Sequence, residues 1–146
     1  MLSKRLEQVA SMVTKGNIIA DIGTDHGYVP IYLVEKGICP KAYAMDINQG
    51  PIESAIKNIE NYGLSEKIQA IKSNGLEKLE PEKADTIIIA GMGGELIVNI
   101  LENGLAKLEN CSRPVKELVL SPHKRGDLVR KYLGEHKWHI TDEKMT

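Results

Sequence analysis

Apolar residues along this chain occur in two patterns that take turns: short unbroken runs, and longer stretches in which they recur every third or fourth position. Leu2, Leu6, Val9 and Val13 share one helical stripe, with Ser3 placed to cap its start and Gly16 its end. The run 17–22 (NIIADI) is short and β-branched, and predicts a buried strand. A glycine-bounded turn at 23–27 follows. A helix of about ten residues is then expected from Tyr28, with Pro30 tolerated in its first turn.

The alternation continues to the end of the chain. Residues 41–47 (KAYAMDI) predict a second strand, 51–62 an amphipathic helix closed by Gly63, and 67–73 (KIQAIKS) a third strand. An apolar fourth strand at 84–90 (ADTIIIA) leads through GMGG into a helix reaching about Leu101. A fifth strand at 115–121, a helix near 125–135 and a sixth strand at 137–143 (KWHITDE) complete the series. Such alternation demands an α/β fold, a parallel sheet with helices on both faces, because each right-handed crossover lays its helix against the sheet. Ligands of such sheets bind at the carboxyl ends of the strands, where strand order reverses. The loops after the first four strands are therefore the candidate site.

At 146 residues the chain has the length of one domain. No apolar stretch approaches the roughly 20 residues of a membrane span, and the N-terminal MLSKRLEQVASMV mixes charge with apolar side chains, unlike a secretory signal. A cytoplasmic protein without a membrane partner is expected. Cys39 and Cys111 lie far apart, and neither they nor His123, His136 and His139 form a group at metal-ligand spacing, so no metal is expected. The net charge of −1 does not point to nucleic acid, but it is unevenly spread. Residues 1–17 carry +2, 18–112 carry −6 and 113–146 carry +3.

The turn after the first strand reads Asp21-Ile22-Gly23-Thr24-Asp25-His26-Gly27. Gly23 and Gly27 allow a sharp bend and close approach to a ligand. Asp46 ends the second strand, 19 residues beyond Gly27, at a separation where a carboxylate can accept from ribose hydroxyls. A nucleoside-containing cofactor is implied. The dinucleotide fingerprint G-x-G-x-x-G fails, because Asp25 and Tyr28 stand where its later glycines belong. An acidic loop opposes a pyrophosphate and favours a cation, which suits S-adenosylmethionine with its sulfonium and ammonium groups. Each acid also has a structural reading, Asp21 satisfied by its own loop and Asp46 as a helix N-cap. His26 is a weak candidate for a catalytic base and more commonly a hydrogen-bonding loop residue. Trp138 reads as an anchor for the last strand. The three glycines of AGMGGELI (90–97), at the end of a central strand, favour close approach of a flat ligand, although a tight turn explains one or two of them.

Taken together, these segments resemble the bacterial tRNA (adenine(22)-N(1))-methyltransferase family, a class I, S-adenosylmethionine-dependent group with a Rossmann-like catalytic domain. The likeness rests on LSKRLEQVASMV, ADIGTDHGYVPIYL, INQGPIESAIKNI, SNGLEKL, AGMGGELI and LVLSPH, and covers the chain nearly end to end. It implies that Asp21, Gly23, Thr24, Asp25, His26 and Gly27 surround the methionine part of the cofactor. Asp46 and Ile47 would take the ribose and adenine ring, and Asn74 and Gly75 the adenine edge. Gly91, Met92 and Gly93 would border the space where the target base of tRNA enters.

The chain departs from the family pattern in three places. Asn74-Gly75 stands where members commonly have Asp-Gly, keeping an acceptor and losing a charge. Ser121-Pro122-His123 replaces Gln-Pro-Asn, leaving His123 without an inherited role. The family normally continues past Thr146 with a seventh strand, inserted antiparallel between the fifth and sixth, and then a helical domain thought to help hold tRNA. The resemblance thus implies that one catalytic domain, 1–146, is present with the helical domain and seventh strand absent, so that strand six pairs with strand five or frays. Three activities fit these residues: N1 methylation of adenine 22 in tRNA, methylation of a small molecule or protein, and cofactor binding without turnover.

Overall fold

The structure, a computed structural model, describes residues 2–141. Five strands form one sheet: β1 (Ile19–Ile22), β2 (Ala42–Asp46), β3 (Ile68–Lys72), β4 (Thr86–Met92) and β5 (Glu117–Pro122). Every pairing is parallel, in the order β3-β2-β1-β4-β5. The chain starts in the middle at β1, builds outward through β2 and β3, then returns to β4 on the other side of β1. The reversal falls between β1 and β4, where a parallel sheet opens a crevice at its carboxyl end.

The helices are α1 (Lys4–Ser11), α2 (Tyr28–Glu35), α3 (Gln49–Asn61), α4 (Gly94–Glu109) and α5 (Gly126–Glu135). Strand residues alternate between two cores. Ile19, Ala42, Ala44, Ile68, Ile88 and Val119 pack under α1, α2 and α3. Ala20, Ile22, Met45, Ile87 and Ile89 pack under α4 and α5. Burial on both faces explains why the strands read as apolar runs and not as polar-apolar alternations. The expected α/β architecture with helices on both faces is present.

Local signals act as the residues demand. Ser3 caps α1, its side chain accepting from Leu6 N at 3.2 Å. Gly63 takes φ 67° beyond α3, and Gly63 N and Leu64 N return to Glu60 O and Ile59 O, a Schellman closure. At the other end of the sheet Asp85, 1% exposed, receives Ile18 N at 2.8 Å and both Nε and Nη2 of Arg113. Burial alone would raise its pKa, but the Ile18 amide and Arg113 outweigh burial and hold it below the ordinary value.

Two expectations need correction. The fourth helix continues past Leu101 to Glu109. Gly104 weakens the helical pattern there, yet it is where Leu76 packs, since an added Cβ would stand 2.6 Å from Leu76 Cβ. The sixth strand is absent from residues 137–141, and 142–143 lie outside the described residues. Lys137 takes φ 63°, and Lys137 N and Trp138 N donate to Gly134 O and Leu133 O. These residues form the Schellman cap of α5, which consumes the amides a strand would need. Trp138 packs in the α4/α5 core and anchors a helix end, not a strand.

Candidate functional site

The β1–α2 turn folds back over the sheet because Gly23 N and Thr24 N both donate to Met45 O of β2 at 2.8 Å. That bend requires positive φ at three of five residues: Gly23 (78°), His26 (55°) and Gly27 (77°). Gly27 also lets α2 approach α3, since an added Cβ would lie 3.3 Å from Ala55 Cβ. A Cβ on Gly23 would run into the methyl group of Met92, so the β1 turn and the end of β4 meet side by side across the switch point.

Asp21, the next-to-last residue of β1, is buried at 4% exposure. Burial pushes its carboxyl up to about 7, the nearby Thr24 hydroxyl pulls the other way, and Asp25 and Asp46 add repulsion to the rise. Thr24 is 2% exposed, and its hydroxyl is near enough to Asp21 to favour the carboxylate yet makes no hydrogen bond that meets ordinary geometry. Thr24 Oγ1 is thus a buried polar atom without a partner among the described residues. A buried acid whose charge is disfavoured, beside an orphaned hydroxyl and with two further carboxylates near, is an arrangement that a cationic, hydrogen-bonding ligand completes.

His26 is held by α3. Its Nδ1 lies 2.6 Å from Ser54 Oγ, its carbonyl accepts from Asn58 Nδ2 at 2.9 Å, and its Nε2 is 3.4 Å from Asp25 Oδ1. Through Ser54 and Asn58 the residue ties the turn to α3. Ser54 and Asn58 were missed in the sequence, although their spacing of four on one helix face was visible.

Asp46 ends β2 with Oδ1 accepting from Asn48 N at 2.9 Å, the local turn that an aspartate before a helix favours. Its other oxygen has no partner among the described residues. Ile47 follows with 54% of its surface exposed. Ser73 N donates to Asp46 O at 2.8 Å, so the ends of β2 and β3 are joined. Buried Ser73 then shapes the next turn, donating to Gly75 O at 2.9 Å and accepting from Lys78 N. This leaves Asn74 exposed and Gly75 at φ 59° against Ile100 of α4. A groove of about 550 Å³ runs on from Asn74 and Gly75 along α4.

β4 reaches two residues further than expected and includes Gly91 and Met92. Its register with β5 shifts between Ala90 and Met92, and Gly91 takes φ 79° in that bulge. Gly93 precedes α4 in extended conformation. The third glycine of the run has a packing reason: a Cβ on Gly94 would overlap the carbonyl of Arg125, whose neighbour Lys124 accepts Gly94 N at 2.8 Å. The fold therefore gathers residues 21–27, 46–47 and 91–93 around one crevice, with 74–75 at the end nearer β3. His123 joins the far side, its amide donating to Met92 O at 3.0 Å. No cluster of metal-ligating side chains occurs among the described residues.

A family model described as a methyltransferase domain matches residues 2–146. A Bacillus subtilis protein named tRNA (adenine(22)-N(1))-methyltransferase is 40% identical over 142 residues, 97% of this chain and 58% of its own length. The solved structure of Streptococcus pneumoniae Sp1610 in complex with S-adenosyl-L-methionine is 48% identical with a TM-score of 0.93, covering 99% of this chain and 66% of that one. M. capricolum TrmK in complex with S-adenosyl-homocysteine is 37% identical with a TM-score of 0.87, covering 100% of this chain and 63% of that one. The chain spans less than two thirds of the length of each of these relatives.

Proposed function

The chain belongs to the methyltransferase-domain family, and from that premise we propose that it is the catalytic domain of an enzyme methylating N1 of adenine 22 in tRNA with S-adenosylmethionine. The observation that carries the cofactor is the buried Asp21 carboxyl beside the unpartnered Thr24 hydroxyl, at the sheet's switch point and one strand from Asp46. The carboxylates of residues 21–27 would hold the cationic amino-acid end. Asp46 would receive the ribose through its free oxygen, Ile47 would cover one face of the adenine, and Asn74 with Gly75 would meet its edge. When bound, the cofactor supplies an electrophilic methyl group on a positively charged sulfur.

The target is read from the named relatives together with the chemistry of the crevice. Adenine N1 carries an in-plane lone pair, so no proton has to be removed before transfer. Orientation and exclusion of water then carry the rate, effects worth up to about 7 to 11 kcal/mol in favourable cases. His26, held to α3 through Ser54 and Asn58, has a structural role that the reaction leaves to it. N1 lies on the Watson–Crick edge, so the nucleotide has to be unpaired or flipped to reach Gly91, Met92 and Gly93. This reading puts the reaction in the cytoplasm, where the tRNA substrate is found.

The test is methyl transfer from labelled S-adenosylmethionine to unmodified tRNA by the full-length natural protein, with the modified position read from reverse-transcription stops. A stop at adenine 22 is expected. Label appearing only in small molecules or protein would favour the rival substrates, and cofactor binding with no transfer to any of them would favour a binding protein.

A further inference from the structure

The two basic segments of the sequence converge on one side of the crevice. Arg5, in the first turn of α1, lays its guanidinium over Gly91: a Cβ built there would stand 3.4 Å from Nη2 and 3.5 Å from Nη1. Lys124, in the β5–α5 turn, lies over Gly93, where a Cβ would stand 3.1 Å from Cε. The position of Lys124 is fixed by backbone, through His123 N to Met92 O and Gly94 N to Lys124 O. Both side chains are exposed, and neither has an acidic partner among the described residues. Their basic neighbours differ, since Arg113 and Lys116 face Asp85, and Arg125 is engaged by Asp127 and Glu95. The crevice is thus electrically divided, with Asp21, Asp25 and Asp46 on the β1–β2 side and two uncommitted cations bracketing residues 91–93 on the other.

We propose that Arg5 and Lys124 form a two-armed phosphate clamp that grips the RNA backbone on either side of the nucleotide entering at Gly91–Gly93. The inference rests on the tRNA reading above and goes beyond it by assigning the gripping residues to this domain. Arginine over a glycine can present its planar donor fork to a phosphate, and lysine on a pinned turn supplies a point charge a short reach away. Glycines at 91 and 93 keep the floor between them low enough for both arms to lie across it.

The experiment uses the full-length natural protein with unmodified tRNA and the variants Arg5→Gln, Lys124→Gln, the double variant, and Lys36→Gln at the far end of α2 as a control. Affinity is read by fluorescence anisotropy over a range of salt, and cofactor affinity by calorimetry. Each clamp variant is expected to weaken tRNA binding several-fold and to reduce the slope of log affinity against log salt by about 1. Cofactor affinity and the Lys36→Gln protein are expected to be unchanged. Wild-type methylation of tRNA with unaltered affinity and slope in the double variant would overturn the clamp while leaving the proposed activity standing. An equal loss in Lys36→Gln would overturn it as non-specific. A wild-type protein that neither binds nor methylates tRNA would remove both readings.

Discussion

Replacing Asp21 by asparagine removes a charge that the fold buries at a cost, and the cost can be read from pH. The Asp21 carboxyl is 4% exposed and lies at about 7 against an ordinary value of 3.8. The folded protein therefore holds this proton more tightly than the unfolded chain does. The stability this group contributes is fully present below the unfolded pKa and is lost as pH rises through the folded one. The rise from 3.8 to about 7 corresponds to about 4 kcal/mol, a ceiling because the buried environment relaxes around the charge. About two thirds of that rise lies above pH 5, a ceiling of about 2.7 kcal/mol, and half of that, about 1.3 kcal/mol, moves the midpoint of a chain this size by roughly 4 °C. Thermal unfolding of the wild type and Asp21→Asn without cofactor, at pH 5, 6, 7 and 8, gives a difference in midpoint at each pH. That difference is expected to move in favour of the variant by roughly 4 °C between pH 5 and 8. Any packing penalty of the amide itself adds a constant offset and leaves the trend intact. A difference independent of pH would refute the placement of a costly carboxylate near the end of β1, at Asp21.

Other outcomes follow from the same geometry. S-adenosylmethionine affinity, measured by calorimetry, should fall as pH drops below about 7, where Asp21 takes up the proton that a cationic ligand displaces. Asp46→Ala should weaken that affinity by about tenfold or more, the loss of about 1.4 kcal/mol, with little change in unfolding midpoint. Gly93→Leu should keep cofactor affinity, because the added Cβ meets the side chains of Lys124 and His123 and no backbone, yet abolish methyl transfer by filling the proposed base entrance. Gly94→Ala should destabilise the fold by about 3 kcal/mol, since its Cβ meets the backbone of Arg125 and not a side chain.

Much of this molecule was legible in its sequence because both faces of the sheet are buried. Runs such as residues 86–89 read as strands for that reason, and Ser3 and Gly63 marked helix ends by their local chemistry. The failures turn on partners that the apolar pattern does not show, one far away in the chain and one in the preceding helix. Gly104 looks like a helix breaker until Leu76 is seen packed against it. Residues 137–138 look like a strand start until their amides are found closing α5. In the site, acids and glycines announced the loops, but the sequence could not say that Thr24 is buried without a partner, that Ser54 and Asn58 hold His26, or that Arg5 reaches Gly91. Gly94 was read with its neighbours as room for a ligand, whereas it makes room for the Arg125 backbone.

A crystal structure of the protein with S-adenosylmethionine bears most directly on the account. It should show the ribose hydroxyls on Asp46, the amino-acid end enclosed by residues 21–27, the adenine beside Ile47 with its edge toward Asn74 and Gly75, and the methyl group facing Gly91–Gly93. A cofactor whose ribose lies away from Asp46, or whose charged end lies outside the Asp21–Gly27 turn, would contradict it.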